Sequence, residues 1–380
     1  MIETTTSRAE PTPRFGKYRL LKRIGTGGMA QIYLAAIDGP DGFSKTCVIK
    51  RILPEYARLD DFSRMLITEA KVAAMLSHPN IVQVFDFGKI RDDYFIAMEL
   101  VDGGSLEAAI KQSAKLRVPL GVRVAVNVGI PLCDALAYAH AMVMPNGAPL
   151  NLVHRDVTPG NILISHTGVV KLTDFGVVKA AVAHTNTTAG VVKGKFAYMA
   201  PEQVRNQPID HRADIFSLGI VLYELSTGRW LFRRAETAAV LNAVANAEVP
   251  PPSTVLPGFP PEFERILMKA LARERTDRYN DARELLSDLE AFRAAQQWTS
   301  SARDLAVLMQ KLFPERTAMT TSSPGTWQDG VDDTPTSFFD AADAPTSQAR
   351  RGRSWLPEGL AVAASIVGTA VFWLLVISSR

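Results

Sequence analysis

The hydrophobic pattern of this 380-residue chain changes period once, and that change limits the layers it can build. Between Tyr18 and Leu100 the apolar residues fall in short strand-like runs, YRLLKRIG, QIYLAAI, CVIKRI, FDFGKI and YFIAMEL, interrupted by one helical segment, FSRMLITEAKVAAMLS. Beyond Gly104 the spacing becomes helical, in VAVNVGIPLCDALAYAHAM, DIFSLGIVLYELSTG, EFERILMKALA and ARELLSDLEAF. Strands first and helices later predict two subdomains of different class, an α+β chain with no fixed-period repeat.

Composition narrows the function. Lys and Arg total 42 against 39 Asp and Glu, a formal charge of +3, so nothing electrostatic calls for nucleic acid. With 47% hydrophobic residues and only Cys47 and Cys133, the chain is neither disordered throughout nor a disulfide scaffold, and a reducing cytosol suits it.

The two ends differ from the middle. Residues 1–16 read as a disordered lead, since Met1 to Phe15 is a Thr/Pro/Arg/Glu mixture without the apolar stretch of a signal peptide. Leu360 to Ile377 is an uncharged run of 18 residues, about 27 Å as a helix, which matches a hydrocarbon core. We expect a transmembrane helix over 356–378; a buried core helix is the other reading of such a run. Arg350, Arg351 and Arg353 precede it and Arg380 follows it, which predicts a single-pass cell-membrane protein with its bulk cytoplasmic. Residues 317–354 read as a disordered tether, because Thr317 to Ala349 holds eleven Ser/Thr, five Asp and no Lys or Arg. Before it, within 294–316, Leu305, Leu308, Met309, Leu312 and Phe313 share one helical stripe, the mark of an amphipathic helix that packs on the domain or docks a partner.

Three constellations carry chemistry. Ile24-Gly25-Thr26-Gly27-Gly28-Met29-Ala30-Gln31-Ile32 lies between two strands, where glycines let backbone N–H groups approach phosphate oxygens; a plain tight hairpin explains the same residues. A strand on both sides argues against a dinucleotide-binding turn, and no Gly-Lys-Ser/Thr ending is present. Lys50, in the apolar strand Val48-Ile49-Lys50, needs a partner for its charge, and Glu69 on the following helix is the candidate, although a strand-end lysine also snorkels to water. In His154-Arg155-Asp156-Val157-Thr158-Pro159-Gly160-Asn161, followed by Asp174-Phe175-Gly176, three oxygen-bearing side chains can converge. Asn161 and Asp174 suffice for magnesium shared with a nucleotide, leaving Asp156 to take a hydroxyl proton.

In this order, and with Ala200-Pro201-Glu202 after them, these elements resemble a eukaryotic-type protein kinase over about residues 18–292, and within that family the bacterial serine/threonine kinases. The resemblance implies a bilobal kinase domain over 17–293: a small antiparallel lobe with one main helix (17–101) and a large, mostly helical lobe (102–293). It implies ATP and Mg2+ as cofactors, with Gly25, Gly27 and Gly28 over the phosphates and Lys50 on the alpha and beta phosphates, paired to Glu69. Asp156 becomes the catalytic base, and Asn161 and Asp174 the metal ligands. Met98 resembles the gatekeeper and Glu99 to Val101 the adenine-bonding hinge, while Ile24, Ile32, Val48 and Leu163 would sandwich the ring. Glu202 with Arg278 matches a buried ion pair of the large lobe, and Asp214 the brace of the catalytic loop.

Three residues depart from the family pattern. The third loop glycine is Ala30; Thr158 stands where the serine/threonine kinases usually carry a lysine that contacts the transferred phosphate; Lys195 stands where they usually have a threonine that helps select the hydroxyl. These departures keep two other functions open, an ATP-binding scaffold without turnover and a kinase acting on tyrosine or a small hydroxylated molecule. Thr185, Thr187 and Thr188, between Asp174 and Glu202, are candidate phosphosites that would pair with Arg155. Partners implied are protein substrates and the membrane, with homodimerisation and a phosphopeptide-binding partner at Thr334, Thr336 and Ser337 as further expectations.

Overall fold

The structure, a computed structural model, describes residues 14–314 except 28, 58–59, 145, 176–194 and 300, and omits the side chains of 57, 60–63, 65, 69 and 301. All described residues fall in one compact unit, Met1–Asp332, while the second unit, Asp333–Arg380, lies wholly outside them. The expected membrane span (356–378), the tether and Thr185, Thr187 and Thr188 are therefore outside the described residues.

Six strands form one antiparallel sheet: β1 (Arg14–Phe15), β2 (Tyr18–Thr26), β3 (Ala30–Asp38), β4 (Ser44–Ile52), β5 (Val84–Ile90) and β6 (Asp93–Met98), in the order β1-β2-β3-β4-β6-β5. The sheet buries residues on both faces only at its centre, where Cys47 to Ile49 of β4 and Phe95 to Met98 of β6 are all buried. Side chains alternate across the pleat. Cys47 and Ile49 point into a cluster with Tyr18, Ala35 and Phe95. Val48 points the other way, into a cluster with Ala30, Ile96 and Met98, joined by Leu66 and Ala70 of helix α1 (Asp60–Met75). Lys50, two residues after Val48, shares that second face, and register places it opposite Ile32 on β3 and Ile96 on β6.

The large lobe is built from α2 (Leu106–Leu116), α3 (Gly121–His140), α4 (Arg212–Thr227), α5 (Thr237–Ala245), α6 (Pro261–Ala270), α7 (Ala282–Ala295) and α8 (Ser301–Leu312). Ser105 caps α2 by accepting from the Ala108 amide, and Asp281 caps α7 by accepting from Arg283 and Glu284. Every residue of α4 from Ala213 to Ser226 is buried, so this helix is the axis of the lobe, and its polar members Asp214, Ser217 and Glu224 are hydrogen-bonded. Among the described residues one helix, α3, is long and apolar enough to cross a membrane, with mean hydropathy 1.3, but 61% of that stretch is buried in the lobe, as a core helix is.

One feature differs from the sequence pattern. A small three-stranded sheet, β7 (Gly103–Ser105), β8 (Ile162–Ser165) and β9 (Val170–Leu172), interrupts the helical half. Gly103 permits it, because a Cβ there would meet the Ile164 carbonyl oxygen at 2.0 Å. Helix α8 occupies part of the 294–316 stretch and packs on the lobe: Leu305, Met309 and Leu312 are buried, and Asp304 accepts from Arg123 at 2.8 Å. Gly168, at φ +83°, lets α8 approach, since a Cβ there would lie 1.8 Å from the Ala302 oxygen. Past α3, Val143 bridges to Pro149, with Gly147 between them at φ +81°.

Candidate active site

The glycine-rich segment is the β2–β3 turn. Gly25 faces Ile32, Thr26 faces Gln31, and the Gly27 amide donates to the Ala30 carbonyl at 2.8 Å. Gly28 lies outside the described residues. Ala30 is buried under the turn, so the methyl that distinguishes it from glycine points into the core rather than at the phosphate path. Beneath the turn, Met29, Ile32, Val48, Met98, Val101 and Leu163 belong to one apolar cluster contributed by both lobes. Ile24 is not among them and is 49% exposed at the rim.

Glu99 holds the crossing between the lobes. Its amide donates to the Gln83 carbonyl at 2.9 Å, and its carboxylate accepts from the Gln83 amide at 2.8 Å and from Lys171 Nζ at 2.7 Å. Lys171 sits on β9 of the large lobe, so this ion pair fastens the hinge to the floor beneath it. An apolar hollow behind Met98, bordered by Leu76, Val82, Ile96 and Leu172, reaches Asp174 and Phe175.

The polar groups meet at the seam of the lobes. Lys50 Nζ lies 2.6 Å from Asp174 Oδ1. Glu69 is on α1, and its side chain lies outside the described residues. Asn161 donates through Nδ2 to Asp156 Oδ2 at 2.6 Å and to the Asp156 carbonyl at 2.8 Å. With that nitrogen engaged, the amide oxygen is the atom left for a cation. Lys195 Nζ lies 3.4 Å from Asp156 Oδ2. Thr158 is buried, and its carbonyl accepts the Asn161 amide.

The backbone of this loop is held in place from below. Asp214 on α4 is fully buried and accepts from the His154 amide at 2.7 Å, the Arg155 amide at 2.8 Å and His140 Nε2 at 2.8 Å. Burial pushes its carboxyl pKa up, but the hydrogen bond and charge of His140 and the charge and amide of His154 outweigh that and hold it below the ordinary value. The clamp holds Arg155 at φ +65°, the left-handed region that a β-carbon disfavours. Phe175 is buried against the ring of His154, centroids 4.5 Å apart, which positions Asp174, itself at φ +58°, beside Lys50. Lower in the lobe, Arg278 and Glu202 form a two-pronged buried pair with both N···O distances 2.8 Å.

The structure thus gathers Lys50, Asp156, Asn161 and Asp174 at one cleft, with Met98, Glu99 and Val101 along its back wall. Three contacts were not legible in the residues themselves: His140 on Asp214, Lys171 on Glu99, and Lys195 on Asp156, spanning 74, 72 and 39 residues. Residues that far apart carry no shared sequence period. Among the described residues no cluster of three or more His, Cys, Asp and Glu could hold a metal ion. The donors offered, one carboxylate and one amide oxygen, are hard ligands that suit magnesium sharing phosphate oxygens, so the residues fit that ion.

Comparison with known proteins agrees with this geometry. The family model "Protein kinase domain" matches residues 18–289. The chain is 41% identical over 301 residues to the tyrosine-protein kinase MasK of Myxococcus xanthus, covering 79% of this chain and 47% of that one. It is 36% identical over 275 residues to the serine/threonine-protein kinase PrkC of Bacillus subtilis, covering 72% and 40%. The chain therefore spans about half or less of the length of these relatives. The crystal structure of the Mycobacterium tuberculosis PknI kinase domain superposes with a TM-score of 0.55 at 26% identity, covering 74% of this chain and 98% of that one. From the first long strand of the sheet to α7, this chain belongs to the protein kinase family and is related to the bacterial serine/threonine kinases.

Proposed function

We propose that the chain transfers the gamma-phosphoryl group of ATP, with magnesium, to serine or threonine hydroxyls of proteins, at the cytoplasmic face of a membrane that its 356–378 segment spans. The carrying observation is the convergence at the cleft: Lys50 beside Asp174, and Asn161 holding Asp156 at 2.6 Å. Magnesium, held by Asn161 and Asp174, would neutralise charge on the phosphates. Lys50 meets the alpha and beta phosphates, and the amides of the β2–β3 turn cover them. Asp156 orients the acceptor hydroxyl and takes its proton as the oxygen bonds to phosphorus. The clamp on Asp214 fixes Asp156 in advance, so orientation is built before substrate arrives.

The membrane part rests on the uncharged run and on the arginines before it, and autophosphorylation at Thr185, Thr187 or Thr188 on the pairing available to Arg155. A second reading, transfer to tyrosine, draws on the name of the Myxococcus relative and on the departures at Thr158 and Lys195. Radiolabelled ATP with the full-length chain, Asp156→Asn as control, and phosphoamino-acid analysis of the product separates these readings. Label on serine and threonine that Asp156→Asn abolishes is the expected result. Equal label in both proteins would remove the enzymatic reading, and label on tyrosine alone would select the second.

A further inference from the structure

We infer that Lys195 is a catalytic residue, the cation that meets the phosphoryl group at the base; this rests on the kinase reading above. Its ammonium lies 3.4 Å from the Asp156 carboxylate, on the same oxygen that Asn161 holds. The acceptor hydroxyl must come within about 3 Å of that carboxylate to give up its proton, and phosphorus is one bond beyond the hydroxyl oxygen. A cation in contact with the carboxylate is therefore within reach of the phosphoryl oxygens. An ammonium has three donors, so Lys195 can keep Asp156 while bonding a phosphoryl oxygen. Its side chain is 41% exposed, whereas Asp156 is only 9% exposed.

The other groups near the base do not supply this charge. Lys50 serves the alpha and beta phosphates in that reading and lies beside Asp174, at 2.6 Å. Thr158, two residues beyond Asp156, brings a buried hydroxyl and no charge. The backbone that carries Lys195 is anchored. The Tyr198 amide donates to the Lys195 carbonyl at 3.1 Å, the Tyr198 hydroxyl donates to Glu224 at 2.7 Å, and Ser217 on α4 donates to the Tyr198 carbonyl at 2.7 Å. Lys195 thus reaches the base from a segment tied to the lobe axis, and the base reaches it from a loop tied to the same helix through Asp214.

In the step itself the acceptor oxygen bonds to phosphorus, its proton passes to Asp156, and the bond from phosphorus to the beta-phosphate oxygen breaks, releasing ADP. Charge on the three oxygens in transit falls beside Lys195. An electrostatic contact of this kind, made in the transition state, lowers kcat by about 100-fold when removed.

The test uses the full-length chain with radiolabelled ATP, magnesium and a mixed Ser/Thr/Tyr peptide library, comparing wild type, Lys195→Thr, Lys195→Arg and Thr158→Lys/Lys195→Thr. We expect Lys195→Thr to lose about 100-fold in kcat with the KM for ATP little changed and the melting temperature intact. Arginine at 195, or a lysine moved to 158, then restores most of the rate. A merely structural lysine gives neither the kcat-only loss nor the rescue from a different position. Turnover by Lys195→Thr at or above the wild-type rate overturns the inference, as does a loss that neither Arg nor the double substitution relieves. A wild type no more active than Asp156→Asn sinks the kinase reading instead, so the two failures are distinct.

Discussion

Glu224 makes the stability of the large lobe depend on pH. Its carboxyl is buried on α4, where Oε2 meets the Tyr198 hydroxyl at 2.7 Å and Oε1 accepts the Leu231 amide at 3.1 Å. Burial pushes its pKa from 4.5 up to about 7; the two hydrogen bonds and the charge of Arg233 offset only part of that desolvation. The sign follows by linkage. Below pH 4.5 the acid is protonated in both states and has no effect. As pH rises the unfolded chain gives up this proton first, while the folded one keeps it until about 7, so stability falls across that window and is level above it. At about 1.4 kcal/mol per pKa unit the full loss is about 3 kcal/mol, of which about 2.5 falls between pH 5 and 8. Against a domain stability of about 5–15 kcal/mol that is a large share.

Glu224→Gln isolates this contribution. The amide is the neutral form at every pH; its oxygen can accept from Leu231 and its nitrogen can donate to the Tyr198 hydroxyl. Urea unfolding of both full-length proteins from pH 5 to 8, followed by tryptophan fluorescence, gives the difference between them, in which the other titrating groups cancel. We expect Glu224→Gln to gain about 2.5 kcal/mol on wild type as pH rises over that range. A difference that stays flat within about 0.5 kcal/mol would refute the assignment, because a carboxylate ionised in both states contributes no slope.

Other perturbations have outcomes set by the same kind of geometry. Arg278→Met leaves Glu202 buried without its cation and costs about 3–5 kcal/mol in chemical unfolding, and Glu202→Gln added to it recovers part of the loss. Asp214→Asn turns one of the two oxygens that receive the His154 and Arg155 amides into a donor, so label transfer falls by more than about 10-fold while nucleotide affinity, read by fluorescent ATP-analogue titration, changes little. Gly168→Val drives a side chain into the Ala302 carbonyl. Limited proteolysis should then cut near α8 sooner than in wild type, while phosphoryl transfer persists, since Lys50, Asp156, Asn161 and Asp174 all lie on other segments.

How far the residues alone reveal this protein depends on the distance over which each constraint acts. Asp156, Asn161 and Asp174 are legible because the chemistry dictates residue type and the loop is short enough to fix spacing. The alternation of Val48 and Ile49 across the pleat likewise gives the face on which Lys50 lies. The β7–β9 sheet is not legible: its outer strands have three residues each, too few to show a period, and their pairing depends on the close approach that Gly103 allows. Lys195 is the sharpest case. Read as a string it is a missing threonine beside a missing lysine at 158, two losses that point to a weakened or redirected enzyme. In the fold Lys195 stands against Asp156 itself, and Tyr198, Ser217 and Glu224 tie its segment to the same α4 helix that clamps the catalytic loop through Asp214. Both ends of the Lys195–Asp156 contact are thereby fixed to a single rigid element. On the role inferred for Lys195, the site depends on where the charge stands relative to Asp156 rather than on which backbone segment carries it.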